Sequence, residues 1–368
     1  MVREERSRSV DWRRTIALPA TVMVTCGLLV ACSTMPPSPY GADAKPLDLT
    51  PHIDDRRGRF REIFCTVLEK GSETLPDTRP CDEAITVVGP VPAGTGEVVN
   101  LGPSDRHLVA AIVQGLGWDC FSGWLGLEDS IGEHLRESGY DWTVIPVESL
   151  SSSERNATLI RDAVMAMELE GDRSRLVLIG YSKGAPDIMT ALVSYPEIRD
   201  RIAAVVGVAA AVEGSPVADG VSQSTLELLR HWPKADCPKG DRGAIESIQP
   251  ATRESWLNEN TLPVEIPYYS LATCPEPDRI SRVLKSSYKK LAKMDARNDS
   301  MMLVVDQFIP NSSFLGCVNA DHWAVSVPIA RTRPKIAKRY VNHNDFPREA
   351  MFEAILRFVE EDLASSAP

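Results

Sequence analysis

The 368-residue chain has a deficit of basic residues and lacks the short motifs of several common chemistries. Lysine and arginine total 40 against 51 aspartates and glutamates, so the formal net charge is −11. Binding to nucleic-acid phosphates needs a basic face, so this balance argues against a nucleic-acid partner. The chain also contains no G-x-x-x-x-G-K-[ST], G-x-G-x-x-G, H-E-x-x-H or C-x-x-C motif. Each absence removes one competing chemistry.

The first 31 residues are predicted to be a targeting segment that is not part of the fold. Arginines near the N-terminus precede an apolar stretch, residues 16–30, that is too short to span a bilayer. The sequence Leu29-Val30-Ala31-Cys32 resembles the lipobox of bacterial lipoproteins, which implies cleavage before Cys32 and lipidation of that cysteine. A plain secretory peptide or an uncleaved short anchor is the alternative. We expect an exported protein, anchored by lipid to the bacterial cell envelope.

Six cysteines follow Cys32, and export would place them in a compartment where disulfides can form. An even number in an oxidising compartment suggests up to three disulfides, with buried free thiols as the alternative. Two pairings are guesses: Cys65–Cys81 is the most local, and Cys237–Cys274 would tie a lid region to the core. The six are Cys65, Cys81, Cys120, Cys237, Cys274 and Cys317.

The chain beyond the leader is predicted to form one large α/β core. Residues 32–55 begin with a proline-rich polar stretch and are predicted to be a tether, and residues 56–368 are the folded domain. Alternating strands and helices predict a mostly parallel central sheet flanked by helices. An insertion at about residues 220–262 is predicted to be a lid or cap, with a surface excursion as the alternative. The predicted strands are residues 84–91, 108–113, 142–147, 175–179, 202–209, 266–272 and 301–305, and the predicted helices are 59–69, 126–138, 154–170, 185–195 and 349–363.

The run Gly180-Tyr181-Ser182-Lys183-Gly184 lies between a predicted buried strand and a predicted helix. This is the context of a G-x-S-x-G nucleophile elbow, in which a strained turn exposes the serine hydroxyl. A Cβ at either glycine would collide with the neighbouring strand and helix. Ser182 is therefore the predicted nucleophile, and an ordinary strand-to-helix turn is the alternative.

A serine hydroxyl needs a base, and the base in turn needs an acid that orients it. His322 follows the last predicted strand and is the predicted base, with His343 as the second choice. Asp299, which follows strand 266–272, is the predicted acid. Asp306 and Asp278 remain alternatives.

Two backbone N–H groups are expected to stabilise the oxyanion that forms when the serine attacks. One is the N–H of Lys183, directly after the nucleophile. The other comes from the glycine-rich turn after strand 108–113, where Leu116 is the first choice and Gly117 the second. The Lys183 side chain is expected to reach solvent or a nearby acid.

Three stretches resemble the lipase/esterase branch of the α/β-hydrolase family, bacterial secreted lipases in particular. They are the elbow at 180–184, Gly-Ser-Pro-Val-Ala-Asp at 214–219, and Asn298-Asp299-Ser300 with His322 downstream. The chain departs from the family pattern at three places. Gln114 replaces a histidine before the oxyanion turn, Ser300 stands where glycine is expected, and 210–214 lack the usual aromatic-proline-histidine run.

The resemblance implies an α/β-hydrolase fold with a lid and hydrolysis of carboxylic esters through an acyl-enzyme intermediate. The substrate would be an acyl ester or a lipid. No cofactor is predicted. Lipases of this family can hold a structural calcium ion, but the sequence shows no ligand set clear enough to predict a metal site. An amidase or thioesterase would use the same three residues. The alternative from another class is a catalytically silent lipoprotein that binds a lipid or an envelope partner.

Overall fold

A parallel β-sheet of seven strands runs through the part of the chain that the computed structural model describes, residues 37–49, 52–104, 107–125, 130–169, 174–221, 237–238 and 240–365. The strand order is β1-β7-β6-β5-β4-β2-β3. Every neighbouring pair is parallel. The strands are β1 (Asp54–Asp55), β2 (Leu108–Val113), β3 (Asp141–Val144), β4 (Arg175–Tyr181), β5 (Ile202–Val208), β6 (Tyr268–Thr273) and β7 (Ser313–Val318).

Helices cover both faces of the sheet. In the described ranges they are α1 (Arg57–Gly71), α2 (Cys81–Ala84), α3 (Trp118–Leu125), α4 (Ser130–Glu137), α5 (Ser153–Ala166), α6 (Gly184–Ser194), α7 (Pro250–Glu259), α8 (Lys285–Leu291), α9 (Ile329–Thr332), α10 (Pro334–Tyr340) and α11 (Arg348–Ser365). Short 3-10 turns occupy Pro196–Arg201, Ala218–Gly220, Glu246–Ile248, Pro277–Arg279, Arg282–Leu284 and Val305–Gln307. This arrangement is an α/β-hydrolase fold.

Strand β4 explains why the sheet needs helices on both sides. Its side chains alternate between the two faces, as they must in any strand. Val177 and Ile179 belong to the cluster packed by α1, α4 and α11. Leu176 and Leu178 belong to the cluster packed by α5 and α6. All four side chains are buried, so β4 reads in sequence as an unbroken apolar run.

Five of the predicted strands are present in the structure, and two are wrong. Residues 84–91 contain only isolated bridges, such as the one from Ile85 to Val318. The stretch 301–305 makes a bridge at Leu303 and then enters a 3-10 turn. The last strand is instead β7, which the sequence prediction missed because Gly316 and Cys317 interrupt its apolar run. Its position between β1 and β6 depends on contacts that are distant in sequence.

The residues before 56 are more closely tied to the domain than a free tether would be. Gly41 makes a backbone bridge with Val88, and Leu47 is buried in a cluster at one edge of the sheet. Strand β1 pairs with β7. Burial of apolar side chains therefore holds the described residues from 40 onward on the domain. The leader and Cys32 lie outside the described residues.

Three disulfides link the six cysteines after residue 32. The guess Cys65–Cys81 is confirmed. The guess Cys237–Cys274 is wrong, because Cys237 pairs with Cys120 and Cys274 pairs with Cys317. The last pair connects the ends of the neighbouring strands β6 and β7, where the Cys274 N–H also donates to the Val318 carbonyl at 2.9 Å.

Across the described helices, none is long and apolar enough to cross a bilayer.

Part of the insertion at 220–262 packs firmly against the core. Arg253 of α7 is buried, donates from Nε to the Val212 carbonyl at 2.9 Å, and lies over the Trp256 ring. Burial lowers the pKa of Arg253 to about 10. Residues 222–236 of the insertion lie outside the described residues, so its function as a lid stays a prediction.

Candidate active site

The turn between β4 and α6 holds Ser182 at its apex. Ser182 has a φ of +54°, a left-handed conformation that is strained for a residue with a side chain. Its N–H donates to the Val208 carbonyl at 3.1 Å, which ties the turn to β5. A Cβ on Gly184 would lie 2.0 Å from the Val113 carbonyl oxygen, and one on Gly180 would lie 2.5 Å from the Ala185 Cα. The predicted collision of a larger residue with strand and helix is confirmed at both glycines.

His322 lies beside Ser182. Its Nε2 is 3.0 Å from the Ser182 Oγ, and its Nδ1 is 2.8 Å from the Asp299 Oδ2. An ionised carboxylate can only accept a hydrogen bond, so Nδ1 carries the proton and Nε2 presents its lone pair to the hydroxyl. An imidazole held in this way can remove the proton of Ser182. The structure thus brings the three predicted residues into one chain of hydrogen bonds.

Asp299 is held by four donors and is fully buried. Its Oδ1 accepts from the backbone N–H groups of Met301 and Met302, both at 2.8 Å. Its Oδ2 accepts from the Thr273 hydroxyl at 2.6 Å as well as from His322. These bonds fix the carboxylate and satisfy its lone pairs in a site without solvent. Thr273 was missed at the sequence level, because only the pairing of β6 with its neighbours places its hydroxyl there.

Tyr181 contacts His322 with both its ring and its hydroxyl. Its ring stacks on the ring of His322 with the centroids 5.2 Å apart, and its hydroxyl donates to the His322 carbonyl at 2.5 Å. Burial raises the pKa of Tyr181 well above its ordinary value, so the hydroxyl keeps its proton. The sequence offered a weak signal for this contact, since Tyr181 directly precedes the nucleophile.

The alternative base and acids lie elsewhere. His343 is exposed on a connector before α11, and Asp278 is exposed in a 3-10 turn. Asp306 is partly buried next to Glu213. In the described part of the chain, no hydrogen bond joins His343, Asp278 or Asp306 to Ser182 or His322.

Replacing Asp306 by asparagine should stabilise the protein increasingly as the pH rises above about 4. Burial, and next the carboxylate of Glu213, raise the pKa of Asp306 to about 7. A raised carboxyl pKa contributes stability below its unfolded value, and this contribution is lost as the pH rises through the folded value. The difference in melting temperature between Asp306→Asn and wild type should therefore grow from about pH 4 to about pH 8. A difference that stays constant over this range would contradict the explanation.

Ser300 directly follows the acid in an unfavourable backbone conformation. Its φ is +84°, it is fully buried, and its hydroxyl has no hydrogen-bond partner within the described residues. Glycine adopts this conformation without strain, which explains why the resembling motif has glycine here.

The Ser300→Gly variant should raise the free energy of unfolding by about 1 kcal/mol, because it removes both the strain and a buried unpaired hydroxyl. Chemical denaturation measures this change. Ser286→Gly, on the exposed side of helix α8, is the matched control and should lower stability by about 0.5 kcal/mol or less. Equal losses in both variants would contradict the assignment of strain to Ser300.

The turn predicted to form half of the oxyanion site lies directly against Ser182. A Cβ on Gly115 would be 2.9 Å from the Ser182 Cβ. The Trp118 N–H donates to the Gly115 carbonyl at 3.4 Å, and Gly117 has a φ of +77°, so Leu116 and Gly117 form the middle of a tight turn. Lys183 is the residue that precedes the first turn of α6. Donation from these N–H groups to a substrate stays a prediction.

Two further observations complete the site. The Lys183 side chain reaches a nearby acid, Asp187, as expected. Within the described ranges, no group of three or more His, Cys, Asp or Glu side chains is arranged to hold a metal ion.

On an α/β-hydrolase fold, a serine on a strained strand-to-helix turn therefore lies next to an imidazole backed by a buried carboxylate. The chain is similar to the metagenomic carboxyl esterase MGS0156, with 35% identity over 86% of this chain and 97% of that protein and a TM-score of 0.79. It therefore belongs to the lipase/esterase family of α/β-hydrolases.

A second solved structure shares the fold alone. Bacillus licheniformis lipase BlEst2 in its propeptide form is 19% identical over 64% of this chain and 50% of that protein, with a TM-score of 0.51. No family model matches the chain, and no curated protein matches it either.

Proposed function

We propose that this protein is a serine hydrolase that cleaves carboxylic esters through an acyl-enzyme intermediate. The observation that supports it most is the chain from Ser182 Oγ to His322 Nε2 at 3.0 Å and from His322 Nδ1 to Asp299 Oδ2 at 2.8 Å. The relative MGS0156, named as a carboxyl esterase, supports the choice of esters.

The reaction follows from this geometry. Ser182 transfers its proton to Nε2 of His322 while its oxygen adds to the ester carbonyl carbon. The carbonyl oxygen becomes an oxyanion and accepts hydrogen bonds from the N–H of Lys183 and from the turn at Leu116 and Gly117. Collapse of this intermediate expels the alcohol, which takes the proton from Nε2. Water then attacks the acyl-enzyme with His322 as base, which releases the acid and restores Ser182.

Apolar side chains surround the catalytic elements and suit an acyl group. Leu116 of the oxyanion turn, Phe121 of α3 and Met301 beside the acid are partly buried against one cluster. Met301 and Trp323, the neighbour of His322, both pack against a second cluster. An ester bound at Ser182 would place its acyl chain against these residues, which contribute contact area at little polar cost.

Hydrolysis rates across p-nitrophenyl esters of increasing acyl length test the proposal, with matched anilides and thioesters in parallel. We expect turnover of the esters, and faster turnover of esters than of anilides. A catalytically silent lipoprotein would hydrolyse none of them above the buffer rate. An amidase would prefer the anilides, and either result would overturn the proposal.

We also propose that the protein is exported and attached to the cell envelope through a lipid on Cys32. The six cysteines joined as three disulfides support an oxidising compartment. Labelled palmitate should enter the wild-type protein in cells, and Cys32→Ala should abolish the label and move the protein from the membrane fraction. Equal labelling of both forms would contradict lipidation at this residue.

A further inference from the structure

A fully enclosed ion pair lies beneath the nucleophile, and the reaction described above does not use it. The Lys183 Nζ donates to both carboxylate oxygens of Asp187, at 2.7 and 2.9 Å. Each side chain is 1% exposed. The residue whose backbone N–H is proposed to hold the oxyanion is thus fixed by its own side chain, one helical turn into α6.

The carboxylate of Asp187 is anchored in turn by helix α5. It accepts from the Ser153 hydroxyl and from the Asn156 side-chain amide, each at 2.7 Å. Together with Lys183, these donors occupy both oxygens of the carboxylate. The pair is therefore a link between α6, which starts at the nucleophile, and the first turn of α5.

Residues 240–247 fix that first turn of α5 from outside. Asp241 accepts from the Ser152 backbone N–H at 2.7 Å, and the Ser247 hydroxyl accepts from the Ser153 N–H at 2.9 Å. Burial acts to raise the pKa of Asp241, but hydrogen bonds from Ser152 and Gly243 and the charge of Lys183 lower it below its usual value. The Lys183–Asp187 pair is therefore joined through the first turn of α5 to residues 240–247 of the insertion.

A buried ion pair of this kind contributes little net stability. Taking two charges out of water carries a large desolvation penalty, and well-packed apolar side chains often stabilise a protein equally well. The ion pair does, however, fix the position of the Lys183 backbone and side chain. An oxyanion site depends on this property, because its donors must already point at the place where negative charge develops.

We propose that Lys183 and Asp187 are positioning residues, whose buried ion pair fixes the Lys183 backbone N–H where it meets the oxyanion. This inference rests on the proposed function. It concerns the chemical step, so it predicts a lower kcat with little change in KM. Removing the pair should also reduce the preference for a substrate whose oxyanion accepts hydrogen bonds well.

The test compares an oxo-ester with the thiono-ester of the same acid and alcohol, because sulfur is a weak hydrogen-bond acceptor. The main variant is Lys183→Met/Asp187→Asn, which removes both charges and so leaves no buried unpaired ion. We expect kcat for the oxo-ester to fall by about 10- to 100-fold and the oxo/thiono ratio of kcat/KM to fall by about tenfold. Lys183→Met alone should show the same change in ratio with a larger loss of stability.

A second buried pair of the same spacing provides the matched control. Arg357 and Glu353 lie four residues apart on α11, 2.7 Å apart and 6% and 7% exposed. The variant Glu353→Gln/Arg357→Met should lose stability and keep the wild-type oxo/thiono ratio. Melting temperatures of all variants separate loss of folded protein from loss of rate.

The outcomes are distinct. If the Lys183→Met/Asp187→Asn variant keeps the wild-type ratio, the pair is only structural and the inference fails, whether or not kcat falls. If the Arg357 control lowers the ratio as well, the ratio reports general loosening and the inference also fails. If the wild-type protein hydrolyses neither ester, the proposed function itself fails, which is a different result.

Discussion

Replacement of Ser182 by alanine is expected to lower kcat for a short-chain ester by about 10⁵- to 10⁶-fold. Among the described residues, the Ser182 Oγ is the one oxygen hydrogen-bonded to the His322 Nε2, and the variant removes it. His322 then has no hydroxyl to activate, and only the oxyanion donors and substrate binding remain to accelerate attack by water. Initial rates with a p-nitrophenyl ester measure the loss.

The control for this prediction is Ser255→Ala, an exposed serine of α7 whose hydroxyl contacts only Glu259 in the described structure. It should keep the wild-type rate. The melting temperature of Ser182→Ala should stay close to that of wild type, because a methyl group replaces a small side chain in an enclosed turn. A rate within tenfold of wild type for a folded Ser182→Ala protein would contradict Ser182 as the nucleophile.

Replacement of Asp299 by asparagine is expected to lower kcat by about 10⁴-fold with little change in KM. An asparagine can still accept the Met301 and Met302 N–H groups through its oxygen. Its amide then faces Nδ1 of His322 and donates to it. The proton of the imidazole moves to Nε2, which can no longer accept the proton of Ser182. Steady-state kinetics of the purified variant measure both constants.

The matched control is Asp306→Asn. Asp306 lies seven residues further along the same loop and is one of the two alternative acids considered from the sequence. It should keep kcat within a small factor of wild type while its stability at high pH rises. If Asp306→Asn lost activity and Asp299→Asn kept it, the assignment of the acid would be reversed. The two variants together therefore show whether activity depends on the carboxylate that contacts His322 or on any negative charge in this loop.

The strained turn at Ser182 and the steric role of its glycines are confirmed, and both predictions rest on local chemistry. The elbow could be read from the sequence because a strand, a turn with glycines at fixed spacing and a helix adjoin within a few residues. The order of Ser182, Asp299 and His322 along the chain then limited the candidates for base and acid. The steric reason for Gly180 and Gly184 needed no more than knowledge of that local geometry.

The errors concern contacts between segments that are distant in sequence. Strand β7 is weak in its own pattern, and its pairing with β1 and β6 fixes it. Cys237 is joined to Cys120 across 117 residues, and no spacing rule selects that partner.

The hydrogen bonds that hold the predicted site residues in position could not be predicted from the sequence either. Thr273 contacts the acid only because β6 ends beside it, and Asp187 holds Lys183 only because α5 brings Ser153 and Asn156 to the same place. A sequence predicts which side chains can do chemistry more readily than it predicts what holds them in position.

Mapping the site of covalent modification by a fluorophosphonate tests the central claim most directly. The purified protein is labelled, digested and examined by mass spectrometry, with Ser182→Ala in parallel. We predict a single adduct on the peptide that contains Ser182 and no adduct in the variant. An unlabelled wild-type protein, or an adduct on another serine that persists in Ser182→Ala, would contradict the account.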